Sequence, residues 1–231
     1  MMRRLFVGVL VLATLTACSP AYLRWQPEQY VVQRGDTLYS IAWRYQLDYR
    51  ELAGWNGIGS NYLIYPGQVL RLTAAAAPPR SSSETAPPVR SPAATDSAPA
   101  TVRLPEVGSV SWQWPVDGAV LARFEAANAT GKGIDIGGSV GQEIRAAAGG
   151  KVVYSGSGLI GYGKLIIINH NGQYLSAYAH NSELYVQEGD EVRAGDRIAS
   201  MGLGPGRTPM LHFEIRRNGQ PVDPLRFLPR R

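Results

Sequence analysis

Residues 74 to 105 contain 24 Ala, Pro, Ser or Thr among 32 positions and no Phe, Tyr, Trp, Ile or Met. A stretch so poor in large apolar side chains cannot bury enough surface to offset the entropy lost on ordering it. A disordered Ala/Pro/Ser-rich linker is therefore expected over residues 74–108, and no single domain can be threaded through it. Its seven prolines favour extended segments, with a reach between roughly 30 Å as a flexible coil and about 100 Å if wholly polyproline-like. The aromatic residues of the folded parts fall on its two sides, at residues 29–73 and 109–231.

The chain opens with Met1-Met2-Arg3-Arg4, an apolar run from Leu5 to Leu15, and Thr16-Ala17-Cys18, the order of basic, hydrophobic and small-residue regions found in a secretory signal. The apolar run is too short to cross about 30 Å of hydrocarbon as a helix. Leu15-Thr16-Ala17-Cys18 resembles the bacterial lipobox, which implies a signal peptide over residues 1–17, acylation of Cys18 and a lipid tether over 18–28. Cys18 is the only cysteine, so no internal disulfide competes for it. Several acyl chains on one residue give anchoring that a single chain does not. Ser19 stands where an aspartate would resemble an inner-membrane retention signal, so the resemblance implies the periplasmic face of a Gram-negative outer membrane. Loss of Arg3 and Arg4 with the signal leaves 21 basic against 18 acidic residues. These are interspersed along the chain, which argues against nucleic acid as a partner.

In residues 29–73, Tyr30-Val31-Val32 reads as a short strand that stops at Arg34-Gly35-Asp36-Thr37, where a turn and a helix cap are encoded. Leu38, Ile41, Ala42 and Tyr45 repeat at helical spacing, and Tyr49, Leu52 and Ala53 do so again before Asn56-Gly57. Tyr65-Pro66-Gly67-Gln68 turns the chain into Val69-Leu70-Arg71-Leu72. The order is β-α-α-β, and with neither disulfide nor metal set the small core must rest on two helices packed against two strands. These residues resemble the LysM module over its full length. The resemblance implies binding to peptidoglycan glycan strands containing N-acetylglucosamine, in a shallow groove formed by Gly35, Asp36, Thr37 and Leu38 on one side and Ile64, Tyr65 and Pro66 on the other.

In residues 109–231 strand patterns dominate: Ala119 to Phe124, Gly133 to Ile136, Lys151 to Tyr154, Lys164 to Asn169, Tyr174 to His180, Arg197 to Met201 and Leu211 to Arg216. No segment offers a long helical period, so an all-β, mostly antiparallel domain follows. Gly133-Ile134-Asp135-Ile136, Gly149-Gly150-Lys151-Val152, Tyr178-Ala179-His180, Gly189-Asp190-Glu191-Val192, Ala194-Gly195 and Leu211-His212-Phe213-Glu214 resemble the LytM/M23 metallopeptidase domain, a duplicated hybrid motif, from about Trp114 to Pro224. Those enzymes cleave peptidoglycan cross-links with a zinc held by H-x-x-x-D and by the second histidine of H-x-H. Two further histidines, one in Y-A-H and one opening H-x-H, handle protons. Here Gly131 stands at the first ligand position and Met210 at the opening of H-x-H, while Asp135, His180 and His212 remain. Glycine has no side-chain donor and a thioether is poorly suited to acid-base work. The resemblance thus implies a degenerate domain with no zinc or other cofactor and no catalytic residues, whose groove at Gly131, Asp135, His180, Met210 and His212 is free to dock a partner. His170 falls in the turn Asn169-His170-Asn171-Gly172 and is expected to be no ligand.

Lipobox, LysM module, linker and degenerate LytM domain together resemble the NlpD type of LytM-domain factor. Such proteins activate periplasmic N-acetylmuramoyl-L-alanine amidases in wall remodelling and daughter-cell separation instead of cutting peptidoglycan. Two alternatives have other requirements: a zinc endopeptidase would need a non-standard ligand, and a purely structural wall tether would need no partner.

Overall fold

The computed structural model describes residues 27–74, 110–126 and 132–231. The expected signal, Cys18, nearly all of the expected linker and Gly131 lie outside these residues.

The first module runs β1 (Gln29–Val31), α1 (Leu38–Tyr45), α2 (Tyr49–Trp55) and β2 (Val69–Arg71). Strands β1 and β2 pair antiparallel, with Tyr30 opposite Leu70. Thr37 begins α1 through a reciprocal capping box: its hydroxyl accepts from the Ser40 amide and the Ser40 hydroxyl accepts from the Thr37 amide, both at 3.0 Å. Such a cap is worth about 1 kcal/mol. The helix stops at Gln46, in the left-handed conformation at φ 57°. Asp48 then caps α2 by accepting from the Arg50 amide at 2.8 Å. Asn56 ties α2 to β2, since its amide donates to the Leu52 and Arg71 carbonyls while its oxygen accepts from the Arg71 amide.

The second module contributes β3 (Val120–Ala122), β4 (Ile134–Gly137), β5 (Glu143–Arg145), β6 (Gly150–Gly156), β7 (Lys164–Asn169), β8 (Tyr174–Leu184), β9 (Glu191–Val192), β10 (Arg197–Leu203), β11 (Pro209–Arg217) and β12 (Gln220–Val222). They form one ten-stranded sheet in the order β3-β4-β11-β10-β8-β7-β6-β9, with β8 also paired to β11, β12 on β11 and β5 on β10. Every pairing is antiparallel. One face buries Ile134, Ile136, Ile166, Ile168, Tyr178, Leu211, Phe213 and Ile215, closed over by Trp112, Trp114 and Phe227.

The opposite face changes the reading of the small module as a core resting on its own four elements. Val32, Leu38, Ile41, Trp43, Leu52 and Leu70 share one buried cluster with Val153, Tyr154, Leu165, Ile167, Leu175, Ala177 and Ala179 of the large sheet. Polar contacts register the two modules. Thr37 Oγ1 donates to the Val153 carbonyl at 3.2 Å and Tyr49 Oη to the Gly172 carbonyl at 3.2 Å. Gln220 Nε2 donates to the Gln46 carbonyl at 3.0 Å. The physical reason is complementary need. A module of this size buries too little apolar surface alone, and Leu165, Ile167, Leu175 and Ala177 would otherwise form an exposed apolar patch.

Candidate functional site

Strand register places the retained trio. On β11, Leu211, Phe213 and Ile215 point into the apolar core, so Met210, His212, Glu214 and Arg216 point to the other face. His212 lies opposite Asp135 of β4 and Ala179 of β8, Glu214 opposite Ala177, and Arg216 opposite Leu175. Met210 lies opposite Gly137. His180 ends the regular run of β8 with φ at 63°, its amide bonded to the Tyr162 carbonyl at 2.9 Å. Its ring centroid is 6.1 Å from that of His212. The structure therefore gathers Asp135, His180, Met210 and His212 on one patch of sheet; Gly131 is outside the described residues.

The trio is not isolated. Nδ1 of His212 lies 2.7 Å from Asp135 Oδ1 and its Nε2 lies 3.2 Å from Glu214 Oε1. Both ring nitrogens face carboxylates, and a ring can donate to both only as the imidazolium. Burial works against that charge, but the hydrogen bonds to Asp135 and Glu214 outweigh it and push the His212 pKa up to about 9. Glu214 is fully buried and accepts from Tyr162 Oη at 2.7 Å and from Arg216 Nε at 3.0 Å. Burial alone would raise its pKa; the Arg216 and His212 charges hold it down at about 2. Burial, and then the His212 charge, lower that of His180.

The donors present do not fit a zinc hydrolase site. Asp135 and His212 supply two donors, 2.7 Å apart at Oδ1 and Nδ1, but position 131 has no side chain to offer as the third protein ligand that such sites use. Among the described residues no three His, Cys, Asp or Glu side chains are placed to hold a metal ion. His170 belongs elsewhere: Nδ1 meets the Gly149 carbonyl at 2.7 Å, Nε2 meets Ser176 Oγ at 2.8 Å, and Trp112 packs edge-on against the ring. Burial lowers its pKa to about 4.

On the small module, Gly35, Tyr65 and Pro66 are exposed, Tyr65 at 63%, while Ile64 is half-buried. Asp36 holds its own loop, accepting from Tyr30 Oη at 2.7 Å and the Gln33 amide at 2.8 Å. Leu38 is fully buried and Thr37 is bonded to the large sheet, so these two offer no free side chain. Gln33 to Asp36 form one wall of a cleft of about 680 Å³ whose other wall is Tyr154 to Ile160 of the second module.

Sequence reasoning gave no role to Glu214, Arg216, Tyr162 or Trp43. The signal was present in β11, where polar or charged residues at 212, 214 and 216 alternate with apolar ones. Alternation alone reads as a solvated face, and nothing in the sequence shows that Trp43 covers it.

Residues 30–73 match the LysM domain and residues 129–224 match Peptidase family M23. Fold and site thus define a LysM module joined to an M23-fold domain. The chain belongs to the NlpD/LppB family of lipoproteins. The lipoprotein NlpD/LppB homolog of Pseudomonas aeruginosa is 41% identical over 275 residues, covering 98% of this chain and 92% of that protein. Lipoprotein YgeR of Escherichia coli is 39% identical over 97% of this chain and 90% of its own. The murein hydrolase activator NlpD of Escherichia coli is 38% identical over 87% of this chain and 68% of its own.

Proposed function

We propose that this protein binds peptidoglycan glycan strands through its LysM module and activates periplasmic N-acetylmuramoyl-L-alanine amidases through the groove of its M23-fold domain, without hydrolysing peptidoglycan itself. The observation that carries the reading is the donor set: Asp135 and His212 stand together, 2.7 Å apart at Oδ1 and Nδ1, with no ligand side chain at position 131 to complete the three that hold a zinc open to water. Glycine at 131 and methionine at 210 remove a further ligand and a proton carrier. A relative named murein hydrolase activator supports the regulatory direction.

The glycan would lie across Gly35, Asp36, Ile64, Tyr65 and Pro66, while Thr37 and Leu38, buried at the start of α1, would shape the groove from beneath. Acylated Cys18 would hold the protein at the periplasmic face of the outer membrane, within reach of the wall. The partner segment would dock at Asp135, His180, Met210 and His212. The test mixes the purified chain with dye-labelled sacculi and candidate periplasmic amidases. Dye release should rise only when an amidase is present, and the chain alone should release no peptides and hold no stoichiometric zinc. Peptide release by the chain alone would overturn the proposal.

A further inference from the structure

We infer that the glycan groove of the LysM module continues into the cleft it shares with the second module, and that this extension takes the acidic stem peptide of a peptidoglycan strand. The inference rests on the glycan reading above and adds what the protein selects among glycans. Gly35 and Asp36 belong both to the proposed groove and to the cleft of about 680 Å³. The far wall is the end of β6 and the loop after it, Ser155 to Ile160, so a strand lying over Gly35 and Asp36 has that wall beside it. None of Asp135, His180, Met210 or His212 lines the cleft, which sets it apart from the vestigial peptidase patch.

Charge decides what the extension can hold. Arg34, Arg44 and Lys132 line it against a single acid, Asp36, whose Oδ2 already accepts from Tyr30 Oη at 2.7 Å and the Gln33 amide at 2.8 Å. Arg44 donates from Nη1 to Tyr30 Oη, but its Nη2 meets Asp36 Oδ1 only at 3.4 Å and the Gly158 carbonyl only at 3.5 Å. A charged N–H settles at about 2.7–2.9 Å from a well-placed carboxylate. Arg34 is exposed and makes no hydrogen bond or ion pair among the described residues. Both guanidinium groups therefore have donors to spare for carboxylate oxygens. An N-acetylglucosamine oligomer carries no charge, and a strand stripped of its peptides keeps only the small lactyl carboxylate. The stem peptide brings several carboxylates, and the cleft lies within the about 300–1,000 Å³ of sites that enclose a ligand of that size. At the rim Ile160, 99% exposed, offers an apolar contact to alanyl methyls. The stem peptide is what an N-acetylmuramoyl-L-alanine amidase removes, so such a site holds the protein on strands that still carry amidase substrate and lets go of stripped ones.

The experiment measures, by calorimetric titration, the affinity of the chain from Ser19 onward for an N-acetylglucosamine hexamer, for a muramidase-released glycan fragment carrying its stem peptides, and for the same fragment stripped by an amidase. At low salt the stem-bearing fragment should bind about five-fold or more tighter than the stripped one. The gap should close as salt is raised. Ile160→Asp changes a fully exposed residue of the second module and Arg34→Gln an exposed one without a partner, so neither disturbs the fold. Each should abolish most of the preference while leaving affinity for the hexamer as it was. Equal wild-type affinity for the two fragments, a preference that either variant keeps in full, or an equal loss for the hexamer would overturn the inference; hexamer binding by the wild type would leave the LysM reading standing. No binding of any of the three ligands would overturn both.

Discussion

Arg216 of the large sheet donates from Nη1 to the carbonyl of Trp43 in the small module while its guanidinium lies against the Trp43 ring. The same guanidinium balances Glu214, which is fully buried. Replacing only one member of such a pair leaves the other charge buried without its main counterion. Arg216→Met should therefore cost about 3–5 kcal/mol, whereas Glu214→Gln combined with Arg216→Met should recover most of that loss. Guanidinium unfolding followed by tryptophan fluorescence measures both. A double variant no more stable than the single one would show that the charges do not compensate each other.

The titrating groups around this pair predict a stability maximum near pH 6.5. His212 has a folded pKa of about 9 against an ordinary 6.5, so its contribution is complete below 6.5 and is lost as pH rises through about 9. His170, held neutral with a pKa of about 4, costs stability as pH falls from 6.5 towards 4, and His180 is shifted in the same direction. Glu214, at about 2 against 4.5, contributes above 4.5 and loses its contribution as pH falls through about 2. Thermal unfolding scanned from about pH 3 to 10 should fall on both sides of the maximum. The alkaline limb should flatten in His212→Gln, and an unchanged decline in that variant would assign it to another group.

Two residues of the proposed glycan groove should separate binding from folding. Tyr65 is 63% exposed, so Tyr65→Ala should weaken binding of chitin oligomers while changing stability by no more than about 0.5 kcal/mol. Asp36 has a side chain only 8% exposed and joins Tyr30, Gln33 and Arg44. Asp36→Ala should lower both binding and stability, the latter by about 1–3 kcal/mol for the partners left unsatisfied. Calorimetric titration and thermal melts of the same samples distinguish the two outcomes.

Cys18→Ala should release the protein from outer-membrane fractions once wall binding has been removed by lysozyme digestion. The expectation follows from Leu15-Thr16-Ala17-Cys18 and an apolar run too short to span. Unchanged fractionation of the variant would place the anchor elsewhere.

The sequence was most legible where structure is local. Thr37 announces its helix because a short polar side chain before an apolar period has one common use, and Lys164 to Asn169 reads as a strand because Leu165 to Ile168 is continuously apolar and β-branched residues dominate it. Strands β5, β9 and β12 did not show, since each has only two or three residues and a single apolar position or a proline in place of the longer apolar run that marks the flanks of β1, β2 and β3. The positions of Asp135, His180, Met210 and His212 could be read through family resemblance, but not the partners that decide their chemistry. Glu214 is invisible as a counterion of His212 until register puts both on one face. Trp43 gave no hint of its role either, because its partner is 173 residues away and helical periodicity describes only the helix that carries it.

The cleft of about 680 Å³ between Gln33–Asp36 and Tyr154–Ile160 has one wall from each module, so its shape exists only while the two are together. Any small molecule that fills it and touches both walls is by thermodynamic linkage a molecular glue: it holds the modules shut by RT ln(1 + [L]/Kd). Because Gly35 and Asp36 belong both to this wall and to the proposed glycan groove, such a compound would also compete with the glycan, and its affinity would rise in variants that dock more tightly and vanish in those that cannot dock at all.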